Sequence, residues 1–170
     1  WTVVNRLWNE FINNTNQLNP LTFNTYTGFI TSLNQNQIFV FGSNTEGRHG
    51  AGAAKQAMSF GAVYGQSRGL QGQSYALITK DLTKSTHPSI SKDNIIDQIK
   101  NLYSEANSNK DKEYLIAYNG KGNNLNGYSN QEMAEMFRQE NIPNNIVFEE
   151  SFNKLVRQNQ PVEQIQSDEV

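Results

Sequence analysis

The residues whose types and spacing best suit chemistry lie in FGSNTEGRHGAGAAKQA, positions 41–57. Gly42, Gly47, Gly50 and Gly52 remove side chains along a segment that leaves an apolar run and enters an alanine-rich one. Successive bare N–H groups ahead of a helix N-terminus form a concavity for an anion. Gly42, Ser43, Gly47, Arg48, Gly50, Ala51, Gly52 and Ala53 are therefore candidate phosphate-side residues. Asn44, donor and acceptor at once, suits a sugar hydroxyl or an attacking water. Arg48 brings charge. His49 is the candidate acid/base, because imidazole is the usual proton carrier near neutral pH. A histidine on a glycine loop is not expected in the core. The spacing fits neither the triphosphate-binding lysine loop nor the dinucleotide fingerprint, and Lys55 falls too far into the expected helix. The alternative reading is conformational: glycines supply positive φ and let a strand pack closely against a helix.

A second glycine-rich run, NGKGNNLNGY at 119–128, also sits between an apolar strand and a helical pattern. Its candidate ligand residues are Gly120, Lys121, Gly122, Asn123, Asn124, Gly127 and Tyr128. Two such loops face to face would clamp a diphosphate through main-chain donors; otherwise the second is an Asn-Gly excursion. Tyr64, Arg68 and Gln71 either close over a base or ribose or form a surface loop. His87 is expected to be solvent-exposed and idle. Glu149 and Glu150, adjacent on a strand end, point oppositely and make no paired-carboxylate site. Two distant histidines and no cysteine argue against a metal site, and no cofactor is implied.

The elements that must position these residues follow from periodicity. Trp1, Val4, Leu7, Trp8, Phe11 and Ile12 share one helical face, so 1–20 is read as an N-terminal helix or extension. It docks on the body or on a protein partner. Strands are expected over 21–30, 38–41, 74–78, 113–118 and 145–148, and helices over 51–60, from Ser91 onward and over 130–138. The stretch 64–73 carries too many glycines for either element. Tyr103, Met133 and Met136 are core at helical spacing. Strand, loop and helix alternate, which predicts an α/β fold, a sandwich with helices on both faces of a mixed sheet. Ligands then settle at the carboxyl ends of the strands. The domain is expected over 21–156, with a polar tail over 157–170.

Composition bounds the function. The 170-residue chain has room for one sizeable core. Its net charge of -2 offers no basic surface for nucleic acid, and its apolar runs are strand-sized, so no membrane partner is expected. No cysteine and no signal-peptide pattern fit a cytoplasmic location. The opening Trp1 suits a trimmed chain or a fragment.

Taken together, TGFITSLNQNQIFVFGSN, GRHGAGAAKQA and YLIAYNGKGNNLNGYS resemble the corresponding segments of the macro domain, an ADP-ribose-binding α/β/α fold. The resemblance spans roughly 25–152. It implies that Asn44 faces the distal ribose and that the two glycine loops flank the diphosphate. It also implies that Phe29 stands where the family carries an adenine-reading Asp, leaving a ring to stack the base. The wording GSN…GRHGAGAA is closer still to a group of phage and bacterial proteins with no assigned activity. The resemblance implies a domain that binds ADP-ribose or a related nucleotide diphosphate, with hydrolysis of an ADP-ribose linkage as accompanying chemistry. The other open reading is a non-catalytic accessory or structural protein, phage-encoded and in the host cytoplasm, that keeps the fold without nucleotide activity.

Overall fold

The computed structural model describes residues 24–158. The expected N-terminal helix and most of the expected tail lie outside the described residues. In chain order the elements are β1 (Thr25–Tyr26), β2 (Gln37–Asn44), α1 (Gly52–Met58), β3 (Gly69–Gln71), β4 (Ser74–Lys80), α2 (Lys92–Ser108), β5 (Glu113–Ile116), α3 (Asn130–Phe137), β6 (Ile146–Glu149) and α4 (Glu150–Gln158). They build an α/β fold around one six-stranded mixed sheet of order β1-β6-β5-β2-β4-β3. Only β3 runs antiparallel to its neighbour, as a hairpin partner of β4; the other pairings are parallel.

The middle stretches of the inner strands, Ile38–Phe41, Tyr75–Ile78, Tyr114–Ile116 and Ile146–Phe148, are apolar because the sheet is covered on both faces there. Side chains alternate across a strand, and here the alternation feeds two separate clusters. Ile38, Val40, Leu77, Tyr114, Ile116 and Phe148 enter the larger one with α2, α3 and α4. Phe39, Phe41, Ala76, Leu115 and Val147 enter the smaller one with α1. Small residues on α1, Ala54 and Ala57, let that short helix lie close to the sheet.

Helix starts follow local chemistry. Ser91 accepts from the Asn94 amide at 3.2 Å and caps α2. Ser129 and Glu132 form a reciprocal capping box at α3. Tyr103, Met133 and Met136 are buried as expected.

Three elements differ from expectation. The strand expected over 21–30 is, among the described residues, only Thr25–Tyr26, an edge pairing with Phe148 and Glu149. The glycine-rich stretch 64–73 holds β3, because Gly72 at φ +59 turns the chain back onto β4. α4 begins at the residue after β6, in a stretch given no element, and runs two residues into the expected 157–170 tail. No turn residue separates strand from helix there, so the punctuation a sequence reading relies on is missing.

Candidate functional site

Parallel strands β2, β5 and β6 all deliver their carboxyl ends to one edge of the sheet, where a depression forms between the loops that follow. Two adjoining cavities of about 770 and 330 Å³ lie there. They share Gly52 and Ala53 on one wall and Ala117, Tyr118, Asn119 and Lys121 on the other. The two glycine-rich loops, remote in sequence, thus border a single cleft.

The first loop is held by Asn44. Its Oδ1 accepts from the Arg48 amide at 2.9 Å and its Nδ2 donates to the Arg48 carbonyl at 2.9 Å. This pair of bonds closes the turn 44–48, a structural duty that sequence reasoning had not assigned, while Asn44 still lines the smaller cavity. Arg48 lines it too and pairs with Glu46 at 3.6 Å. The chain then enters α1 with Gly52 at φ +58 and no side-chain cap from Ala51. Among the described residues the amides of Gly50, Ala51, Gly52 and Ala53 meet no intramolecular acceptor. Three of these residues, Ala51, Gly52 and Ala53, line the smaller cavity.

The second loop behaves similarly from Gly122 onward. The Gly120 amide donates to Ser151 Oγ at 2.8 Å and the Lys121 amide to Asn119 Oδ1 at 2.9 Å. The amides of Gly122, Asn123 and Asn124 have no acceptor within the described residues. Gly122 lines the larger cavity, and Asn123 and Asn124 the smaller. Lys121 stands where the two cavities meet.

The ends of the cleft differ in character. The larger cavity carries Phe29, 89 % exposed, with Tyr26, Gln56, Glu149 and Ser151. The Tyr26 hydroxyl donates to the Ile116 carbonyl at 2.6 Å; burial and the nearby Glu149 charge raise its pKa. Glu149 caps α4: its Oε1 accepts from the Ser151 hydroxyl and from the Phe152 amide. Burial pushes the Glu149 carboxyl up, but donors from Ser151, Phe152 and Gly120 outweigh it and hold the pKa below the usual range. The smaller cavity carries the neutral amides and hydroxyls of Ser43, Asn44, Thr79, Asn123, Asn124 and Asn126 together with the cationic Arg48, Lys80 and Lys121.

Of the residues singled out in the sequence, Phe29, Gly42, Ser43, Asn44, Arg48, Ala51, Gly52, Ala53, Lys121, Gly122, Asn123 and Asn124 line the cleft. Gly47, His49, Gly50, Gly120, Gly127 and Tyr128 do not. His49 corrects an expectation. It is 2 % exposed, with Nε2 3.1 Å from the Gln66 carbonyl and its ring edge-on to Phe41. The loop folds back over β2, and the imidazole fills the space beneath it. Tyr128 is likewise buried, its hydroxyl donating to the Ile90 carbonyl. Gly42, Gly47, Gly120 and Gly127 each face protein at under 3 Å from a would-be Cβ, and so serve close packing. Gln71 is buried and pins its own loop through Val63 and Gln66, and neither it nor Tyr64 nor Arg68 reaches the cleft. His87 is half-buried, its Nδ1 2.7 Å from Ser89 Oγ, where an exposed, idle side chain was expected.

Sequence reasoning missed Tyr118, Thr79, Asn126, Glu149 and Ser151 as cleft residues. For all but Asn126, which lies deep in the loop after β5, the common signal is position at or just past the carboxyl end of a parallel strand. Among the described residues no three His, Cys, Asp or Glu side chains gather as a metal site, and no helix is long and apolar enough to cross a membrane.

Compared with protein-family models, curated proteins and solved structures, the chain finds no match in any of the three.

Proposed function

We propose that this domain binds ADP-ribose or a closely related nucleotide diphosphate, as a macro-like three-layer α/β/α sandwich. The observation that carries the reading is the cleft itself. Two glycine-rich loops bring residues with acceptor-free amides, Ala51–Ala53 and Gly122–Asn124, to the walls of two adjoining cavities. Lys121 lines both. Main-chain donors backed by one ammonium suit a diphosphate, whose charge is spread over several oxygens.

The order of the flanking groups supports the same ligand. An exposed aromatic ring, Phe29, lies at the larger cavity and suits a base face. Asn44, Ser43, Thr79 and Asn126 line the smaller cavity and suit a sugar, with Arg48, Lys80 and Lys121 beside them to meet its phosphate. That is the order the sequence resemblance implies.

The proposal is binding without hydrolysis. His49 lies under its loop, and the cleft carboxylate, Glu149, is occupied as a helix cap. This favours a non-catalytic binding role; the other reading, a protein that keeps the fold without nucleotide activity, is the one the titration opposes to it.

Isothermal titration with ADP-ribose tests it. Heat of binding at one site is expected, with weaker binding of ADP, which lacks the second sugar. Folded protein that gives no heat at millimolar ADP-ribose overturns the reading.

A further inference from the structure

Tyr118 stands two residues past Ile116, the last residue of β5. Its ring belongs to the larger core cluster, 6.0 Å between centroids from both Phe137 and Phe152. The side chain therefore cannot swing away without opening that core. Its hydroxyl reaches under β2, to the place that a side chain at position 42 would take: a Cβ on Gly42 would lie 2.6 Å from it. Although the residue is only 8 % exposed, this hydroxyl has no hydrogen-bond partner.

Buried hydroxyls without partners are uncommon, because the lost hydration is not replaced. Thr79 and Asn126 lie near enough to lower its pKa, but neither makes a hydrogen bond of normal geometry to it. Thr79 Oγ1 donates to the Ser43 carbonyl at 3.4 Å, and Asn126 accepts from the Tyr128 amide at 2.9 Å. Burial raises the phenol pKa and outweighs the lowering by Thr79 and Asn126, leaving it at about 12, so it stays a neutral donor. Gly42, Thr79, Asn126 and Tyr118 all line the smaller cavity. Leu125, which also lines that cavity, is exposed, and the amides of Asn123 and Asn124 before it meet no acceptor among the described residues.

We propose that the Tyr118 hydroxyl is a ligand-binding group of the smaller cavity, completed by a hydroxyl of the phosphate-linked sugar that enters there. The assignment rests on the nucleotide-diphosphate reading above and adds to it the residue that selects for a second sugar. It also explains why position 42 is glycine: any larger residue would occupy the hydroxyl's place.

Tyr118→Phe separates a binding role from a structural one, because the two predict different signs. Removing a partnerless buried hydroxyl leaves the free protein as stable as before, or more so. Removing a ligand contact weakens binding of the sugar-bearing ligand. Titrations of wild type and Y118F with ADP-ribose and with ADP, alongside melting curves, read both. The expected result is an unchanged or higher Tm, about a five- to tenfold loss for ADP-ribose, and no change for ADP. Equal ADP-ribose affinity in both proteins overturns the assignment while leaving the nucleotide reading intact. An equal loss for ADP and ADP-ribose also overturns it, since the effect would not belong to the second sugar. A wild type that binds neither ligand overturns the reading and the assignment together. Should Y118F melt lower with ADP-ribose affinity unchanged, the hydroxyl is structural and the assignment falls.

Discussion

At the scale of single residues, the glycines divide by what stands where their Cβ would be. Gly127 has φ +88 and a would-be Cβ 2.5 Å from the His87 carbonyl carbon. It lets the second loop press against the 87–88 backbone. Gly50 has an ordinary φ and nothing within 4 Å. Gly127→Ala is accordingly expected to cost about 2 kcal/mol or more, through strain and overlap. Gly50→Ala is expected to stay within about 0.5 kcal/mol of wild type. Urea denaturation measures both, and similar costs at the two sites would contradict the division. A glycine-rich run is thus not one device. Part of it packs the loop against the body, and part leaves bare amides facing the cleft.

At the scale of elements, α4 depends on the last residue of β6. Glu149 ends the strand and caps the helix, with its carboxylate on Ser151 and the Phe152 amide. Glu149→Ala is expected to cost about 1 kcal/mol at neutral pH. The pH dependence follows from the lowered pKa. A carboxyl depressed in the folded state stabilises it above the unfolded pKa. That contribution is lost as pH falls through the folded value. The Tm gap between wild type and E149A should therefore narrow below about pH 4, whereas E149Q, which keeps an acceptor without the charge, should show a gap from wild type that also shrinks in acid. Melting curves across pH 3–7 (on the order of the carboxylate range) decide it; a gap constant with pH removes the charge from the cap.

At the scale of the whole molecule, the cleft exists only because the sheet is assembled. Its walls come from loops after β2 and β5, its ends from residues beside β1, β4 and β6. A ligand bridging those walls binds the folded state alone, so it must raise overall stability. At a hundredfold excess over Kd the gain is about 2.7 kcal/mol, or about 5–10 °C in Tm for a chain of this size. Scanning calorimetry with ADP-ribose should show that shift as one cooperative transition. A Tm independent of ligand concentration would exclude folded-state binding.

Much of this was legible along the chain. Alternating apolar strands and amphipathic helices determine an α/β fold, because strand runs such as 38–41 are apolar on both faces and must be covered on both. The two glycine loops were also visible, since backbone freedom is written in residue type. Tertiary structure decided which of their atoms matter. His49 looks catalytic on a glycine loop, and only the fold of that loop over Phe41 buries it. Tyr118 looks like the end of a buried strand, and only the juxtaposition of β5 with Gly42 and Thr79 gives its hydroxyl a place beside a cavity. Residue type is local and periodicity is short-ranged, so both survive in the sequence. Which side chain meets which across a sheet is set by register and loop path, and these are fixed only when the whole core packs.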